Sequence, residues 1–213
     1  MQLLSINIGQ ARKMIEAKVN GLSGIYKSPA AGEVQITVLG VDGDAVCDTK
    51  NHGGPDQALY VYGQVDYAWW EAELATTLAP GTFGENLTIS DLCSADLNIG
   101  DRLHIGPVVL EVSAPRIPCH VFAARMADKA FVKRFTAAER PGAYCRVIAP
   151  GVLGAGLPVA LERHSGPTLS LIEMFREYYA PALTAAQIAR QQAAPIAERA
   201  RADLARKRTL SSD

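Results

Sequence analysis

The chain has 213 residues, with 21 lysines and arginines against 22 aspartates and glutamates, and 48% of it is hydrophobic. That length can bury a sizeable core and suits one domain with an appendage or two small domains. Balanced charge offers no basic excess for nucleic acid, and the longest apolar runs are too short to span a bilayer.

The opening MQLLSINIGQARKM lacks the charged start and continuous apolar region of a signal peptide, so a cytoplasmic location is expected. From there to about residue 163, short strands alternate with turns rich in Gly, Pro, Asn and Asp. Val34, Ile36 and Val38 fall on one face of EVQITVL; Val108, Leu110 and Val112 do so in PVVLEVS, and Leu157, Val159 and Leu161 in LPVALER. Repeated over many segments, this alternation predicts a mainly β fold, a barrel or sandwich, over residues 1–163. Two helices interrupt it. QVDYAWWEAELA places Val65, Ala68, Trp69 and Ala72 on one face, and DKAFVKRF pairs Phe131 with Phe135 one turn on, with the aromatic residues read as core.

After RHSGP the pattern becomes helical. Thr168 reads as an N-cap, Thr184 and Gln187 stand in capping-box spacing, and Pro195 suits a first turn. Residues 164–213 are therefore expected to form a small appendix of three helices, whose basic end reads as a solvated helix terminus.

Cys47, Cys93, Cys119 and Cys145 lie 46, 26 and 26 residues apart, a spacing poor for structural zinc and without a disulfide framework. Cys47, Cys93 and Cys145 read as buried small hydrophobes. Cys119 differs because of APRIPCH, Ala114 to His120. Pro115 and Pro118 fix their own φ and push Ala114 and Ile117 into extended backbone, so Arg116 sits on a stiff turn and Cys119 is presented rigidly. A reactive thiolate gains from such a backbone and a nearby cation, whereas a packed thiol needs neither.

Two more loops carry polar residues that packing does not require. KNHGGPDQA, preceded by GVDGD, contains Gly53-Gly54, which permits an anion-binding nest flanked by Lys50 and His52; a plain turn is the alternative. PGTFGENLT offers Glu85 and Asn86 beside Gly84, suited to contacting a polar heterocycle or, again, to a turn.

HGGPDQA, FGENLT and PRIPC, in this order, with GVDGD before and VIAPGVLGAG after, closely resemble the MOSC family, named for the C-terminal domain of molybdenum cofactor sulfurases. SGIYK near the start and the helical appendix narrow the resemblance to a bacterial subgroup that includes 6-hydroxylaminopurine-reducing proteins. It implies a MOSC-type β-barrel and a molybdenum cofactor bound through pterin and phosphate; pyridoxal phosphate is not expected. It also implies that Cys119 is the molybdenum ligand and catalytic residue, with Arg116 favouring the anionic cofactor or the thiolate and Lys27 a phosphate partner. His52, Gly53, Gly54, Asp56, Glu85, Asn86 and Arg146 then shape the cofactor cleft. Two departures stand out: Gln57 where many relatives carry a basic residue, and Ala143 where many carry an aromatic one.

The implied activity is reduction of N-hydroxylated compounds (hydroxylaminopurines, hydroxylamines, amidoximes) with electrons from an external reductase, and neither nucleic acid nor membrane is an expected partner. Whether the chain forms a homodimer is left open. A carrier of molybdenum cofactor or sulfur, docking through the helices, is the alternative. A thiol enzyme pairing Cys119 with His120 is less favoured, because adjacent residues of an extended strand face opposite ways.

Overall fold

The computed structural model describes residues 1–17 and 21–210. In chain order come β1 (Leu3–Gly9), β2 (Arg12–Lys13), β3 (Leu22–Ser23), β4 (Lys27–Pro29), β5 (Val34–Thr37), β6 (Gly40–Val41), β7 (Leu59–Gly63) and α1 (Gln64–Leu74). They are followed by β8 (Leu87–Ile89), β9 (Arg102–Ile105), β10 (Val108–Pro115), α2 (His120–Arg125), α3 (Phe131–Ala138), β11 (Ala143–Ala149), β12 (Gly151–Leu153) and β13 (Val159–Glu162). Helices α4 (Leu171–Tyr179), α5 (Ala185–Ala193) and α6 (Glu198–Leu210) end the chain. Among the described residues no helix is long and apolar enough to cross a membrane.

The fold is mixed α/β, built on an eight-stranded sheet in the order β13-β9-β10-β11-β7-β8-β1-β4, with a small β12-β5-β6 sheet and a β2-β3 hairpin beside it. Strands β7 and β8 pair in parallel, which requires a crossover, and α1 supplies it. The expected barrel does not close. The start of β13 meets the start of β1, the strand before the β4 end, at one bridge, Gln2 to Pro158, backed by Leu3 N–H donating to the Leu157 carbonyl and Val159 N–H to that of Met1, each at 2.9 Å, and Gly156 N–H to that of Leu3 at 2.7 Å. Pro158 has no N–H with which to continue a ladder, and the C-terminal half of β1 is already paired with β4.

An aromatic cluster anchors the core. Trp70 stacks on Phe135 at 5.9 Å, and Phe122 meets Phe131 and Phe135 edge-on at 5.2 and 5.0 Å. Helix α1 is turned from its expected face: Asp66, Tyr67 and Trp70 are buried, while Val65 and Trp69 are exposed. Arg140 accounts for this. It pairs with buried Asp66 at 2.7 Å and draws the Trp69 ring outward beneath its guanidinium, 4.9 Å away.

The terminal helices share one hydrophobic core with the sheet through Leu169, Leu171, Met174, Ile188, Ile196 and Leu204. Thr184 and Gln187 form the expected capping box. For α4 the N-cap is Ser170, boxed with Glu173, and not Thr168, whose hydroxyl instead donates to the Ile99 carbonyl at 2.6 Å. Pro195 lies in a turn ahead of α6 and not in its first turn, with its carbonyl and that of Ile196 taken by Arg146.

Candidate functional site

A cavity of about 450 Å³ opens where the sheet, the loops at 44–58 and 114–121, and helices α4 to α6 converge. Of the residues singled out by sequence, Lys27, His52, Asn86, Arg116 and Cys119 line it. Pro115 and Pro118 act here as expected. A register shift between Val112 and Ala114 bends β10, the ladder ends at Pro115, and the extended Cys119 backbone (φ −128°, ψ 172°) becomes the N-cap of α2. The Cys119 carbonyl accepts from Phe122 and Ala123 N–H at 3.0 and 3.2 Å, which holds the thiol-bearing residue in place.

Arg116 is the most telling side chain. Only 4% exposed, its guanidinium lies between the Phe122 ring at 4.2 Å and the Tyr60 ring at 4.9 Å. Its Nη1 donates to the Phe83 carbonyl, its Nε finds no hydrogen-bond partner, and among the described residues no carboxylate forms a salt bridge with it. A buried cation in this condition is costly unless an anion completes the site. Gly84 allows the close approach: with φ at 77°, a Cβ there would sit 2.9 Å from Ile25 and 3.7 Å from the Arg116 Nη1.

Lys27 is handled differently. Its ammonium pairs with both oxygens of Asp44, which also accepts from the Asn86 amide at 2.9 Å and Gly9 N–H at 2.7 Å. Burial pulls the Lys27 pKa down while the Asp44 charge opposes it. Asn86 is locked by accepting from Tyr60 N–H at 3.1 Å. His52 meets the Tyr144 hydroxyl through Nδ1 at 3.1 Å; burial, and then the Arg116 charge, hold its pKa down to about 4, so it is neutral at pH 7.

The other named residues sit behind this surface. Gly53 and Gly54, at φ 141° and 82°, do not line the cavity but fold the loop so that His52 and Gln57 on either side of them do. Asp56 and Arg146 pair at 2.8 Å; Arg146 also binds Glu111, and Asp56 accepts from Glu198 N–H at the start of α6, so the two clasp the helices to the sheet. Glu85 is fully buried beneath the cavity floor, accepting from Tyr67 and Gly81 at 2.6 Å, and burial pushes its pKa up. Ala143 is buried in the β11 ladder away from the cavity, so its small size does not widen the site.

The cysteines divide in a way their spacing did not foretell. Cys145 is buried, with its pKa pushed up to about 12 by desolvation, as an inert core thiol should be. Cys47 and Cys93 are only half-buried, and Cys47 lines the cavity. The polar loop at 44–52 holds it there, outside the apolar core. His120 is exposed and spends Nε2 on the Glu16 carbonyl. Sequence reasoning passed over Asp44, Tyr60 and Tyr144; GVDGD, LYVYG and GAYCRV contain them in turn, but only the fold shows that they face the cavity.

Residues 48–160 match the family described as MOSC domain. The chain belongs to this family. Within it, the chain sits with the bacterial YiiM- and YflK-like proteins. The uncharacterized protein YflK of Bacillus subtilis is 32% identical over 208 residues, covering 97% of this chain and 94% of that protein. The crystal structure of YiiM from Geobacillus stearothermophilus superposes with a TM-score of 0.79 at 26% identity, over 97% of this chain and 98% of that one. A Gibberella moniliformis protein named reductase is 30% identical over 179 residues, 82% of this chain but 31% of that longer protein. The MOSC match covers the loop with His52, the FGEN loop and PRIPC, and stops short of the three terminal helices.

Proposed function

We propose that this MOSC protein is a molybdenum-cofactor-dependent reductase of N-hydroxylated compounds, supplied with electrons by an external reductase. The observation that carries the reading is Arg116: a buried guanidinium with no carboxylate partner among the described residues, on the wall of a cavity that also presents Cys119. An anionic pterin phosphate answers the charge, and a soft thiolate suits molybdenum. The cavity volume of about 450 Å³ suits a cofactor together with a small substrate. The residues present fit the group: Cys119 would hold the metal, Arg116 and Lys27 the phosphate, and Asn86 the pterin edge. When bound, the cofactor supplies two-electron chemistry at the metal.

The net reaction is R–NHOH plus two electrons and two protons giving R–NH₂ and water, the N–O bond being the one broken. The chain's own part is binding and orientation. Arg116 is fixed between two rings, Lys27 is oriented by Asp44, and His52 is kept neutral so that it does not compete as a cation. The Gibberella relative named reductase supports the reaction class. The test is anaerobic turnover: protein from cells that make molybdenum cofactor, reduced viologen as donor, and an amidoxime as substrate, with amidine formation as readout. Amidine formation that depends on protein and donor supports the reading. Loaded protein that turns nothing over, yet passes its cofactor to an apo-enzyme, supports the carrier instead.

A further inference from the structure

The cavity has a second wall that the MOSC match does not reach. Met174, Tyr178, Leu183, Ala200, Asp203 and Leu204 line it from α4, the α4–α5 link and α6, all beyond residue 160. Its apolar part is solid: Met174 and Leu204 are 6% and 4% exposed and belong to the core, so the surface they offer is fixed. Most of its polar groups are spent on the protein. Lys207 donates to the carbonyls of Glu177, Tyr178 and Ala180 at 2.7, 2.6 and 3.1 Å, which uses all three ammonium protons. Arg199 holds the Lys50 carbonyl and the Asn51 side chain, and Glu177 is bonded by Arg190 and Gln191.

Asp203 stands apart. It pairs with Arg206, three residues on in the same helix, whose side chain is 72% exposed. Such a solvent-screened pair is worth at most about 1 kcal/mol and is readily exchanged. The two walls therefore differ in polarity: the sheet side carries the buried cations Arg116 and Lys27, the latter paired with Asp44, and the helical side an apolar surface with the Asp203 carboxylate. A ligand lying between an anion-binding wall and this one would place its ring on Met174, Leu183 and Leu204 and its N–H groups at Asp203.

We infer that the helical wall is the substrate-selecting surface, with Asp203 as the specificity-determining residue: among N-hydroxylated compounds it favours those that present an N–H donor beside the N–O group over those that present a carbonyl there. This rests on the reductase reading above. Benzamidoxime and benzohydroxamic acid make a near-isosteric test pair, since the amidine NH₂ of the first is a carbonyl oxygen in the second. A site with an acceptor there discriminates strongly against a ligand offering another acceptor.

The experiment has two arms, both on the full chain. In the first, the ratio of kcat/KM for benzamidoxime over benzohydroxamic acid is measured in wild type, Asp203→Asn and Asp203→Glu. The ratio is expected to fall about tenfold in Asp203→Asn and to recover in part in Asp203→Glu, as loss of one charge-assisted hydrogen bond predicts. In the second, benzamidoxime binding is titrated calorimetrically without electron donor, and Asp203→Asn should weaken it by a similar factor. A ratio and an affinity both within twofold of wild type overturn the assignment. Turnover of neither compound, with binding still dependent on Asp203, overturns the reductase reading and leaves the binding surface standing.

Discussion

The two walls of the cavity are built on opposite plans. On the sheet side, polar groups are buried and locked: Asp44 holds Lys27, Asn86 is bonded on both its oxygen and its nitrogen, and Arg116 is pinned between rings with no counter-charge. On the helical side, Lys207 and Arg199 satisfy carbonyls of the protein itself, and Asp203 meets an exposed partner. A wall whose charge is left uncompensated is made for a ligand of fixed chemistry. One whose cations are internally satisfied is made for shape and a single hydrogen-bond choice.

The sharpest way to break this contrast is Arg116→Met. A structural arginine paired with a buried carboxylate costs about 3–5 kcal/mol when removed. Arg116 has no such partner, so the ligand-free variant should melt within a few degrees of wild type while cofactor retention falls by about 2–5 kcal/mol, read as pterin per chain after dialysis. Arg146→Met should do the reverse. It takes the guanidinium from Asp56 and leaves Glu111 with Arg102 alone, and it frees the Pro195 and Ile196 carbonyls ahead of α6, costing about 2–3 kcal/mol in urea unfolding and exposing the last helices to protease.

Part of the sheet wall was legible in the sequence, and what was not has physical causes. Prolines on either side of Arg116 announced a rigid presentation of Cys119, because proline geometry is local. The capping box at Thr184 and the Phe131–Phe135 pair were equally local. The helical period puts Trp69 on the packed face, whereas the structure buries Trp70 instead, since the choice hangs on Arg140, distant in the chain. Barrel closure hung on which partner each half of β1 took. The roles of Asp56, Glu85 and Arg146 behind the cavity, and the helical wall itself, arise from tertiary docking that no spacing encodes.

The pH response sharpens the picture further. With a folded pKa of about 4 against about 6.5 unfolded, His52 binds its proton less readily in the folded chain. Its contribution is therefore full above pH 6.5 and is lost as pH falls towards 4, by up to about 3 kcal/mol. His52→Gln should flatten that part of the stability profile, measured by urea unfolding from pH 7 to 4. The smallest expected effect is on the helical wall: Lys207→Met uncaps the end of α4 and should cost about 1–2 kcal/mol in the same assay.

The central claim is that the sheet wall holds a molybdenum cofactor with Cys119 on the metal. Its most direct test is molybdenum and pterin content of wild type beside Cys119→Ser, both made in cells able to synthesise the cofactor. The account predicts about one molybdenum and one pterin per wild-type chain, with molybdenum lost or its coordination altered in the variant. No molybdenum in wild type despite verified supply, or unchanged content and coordination in Cys119→Ser, would contradict it.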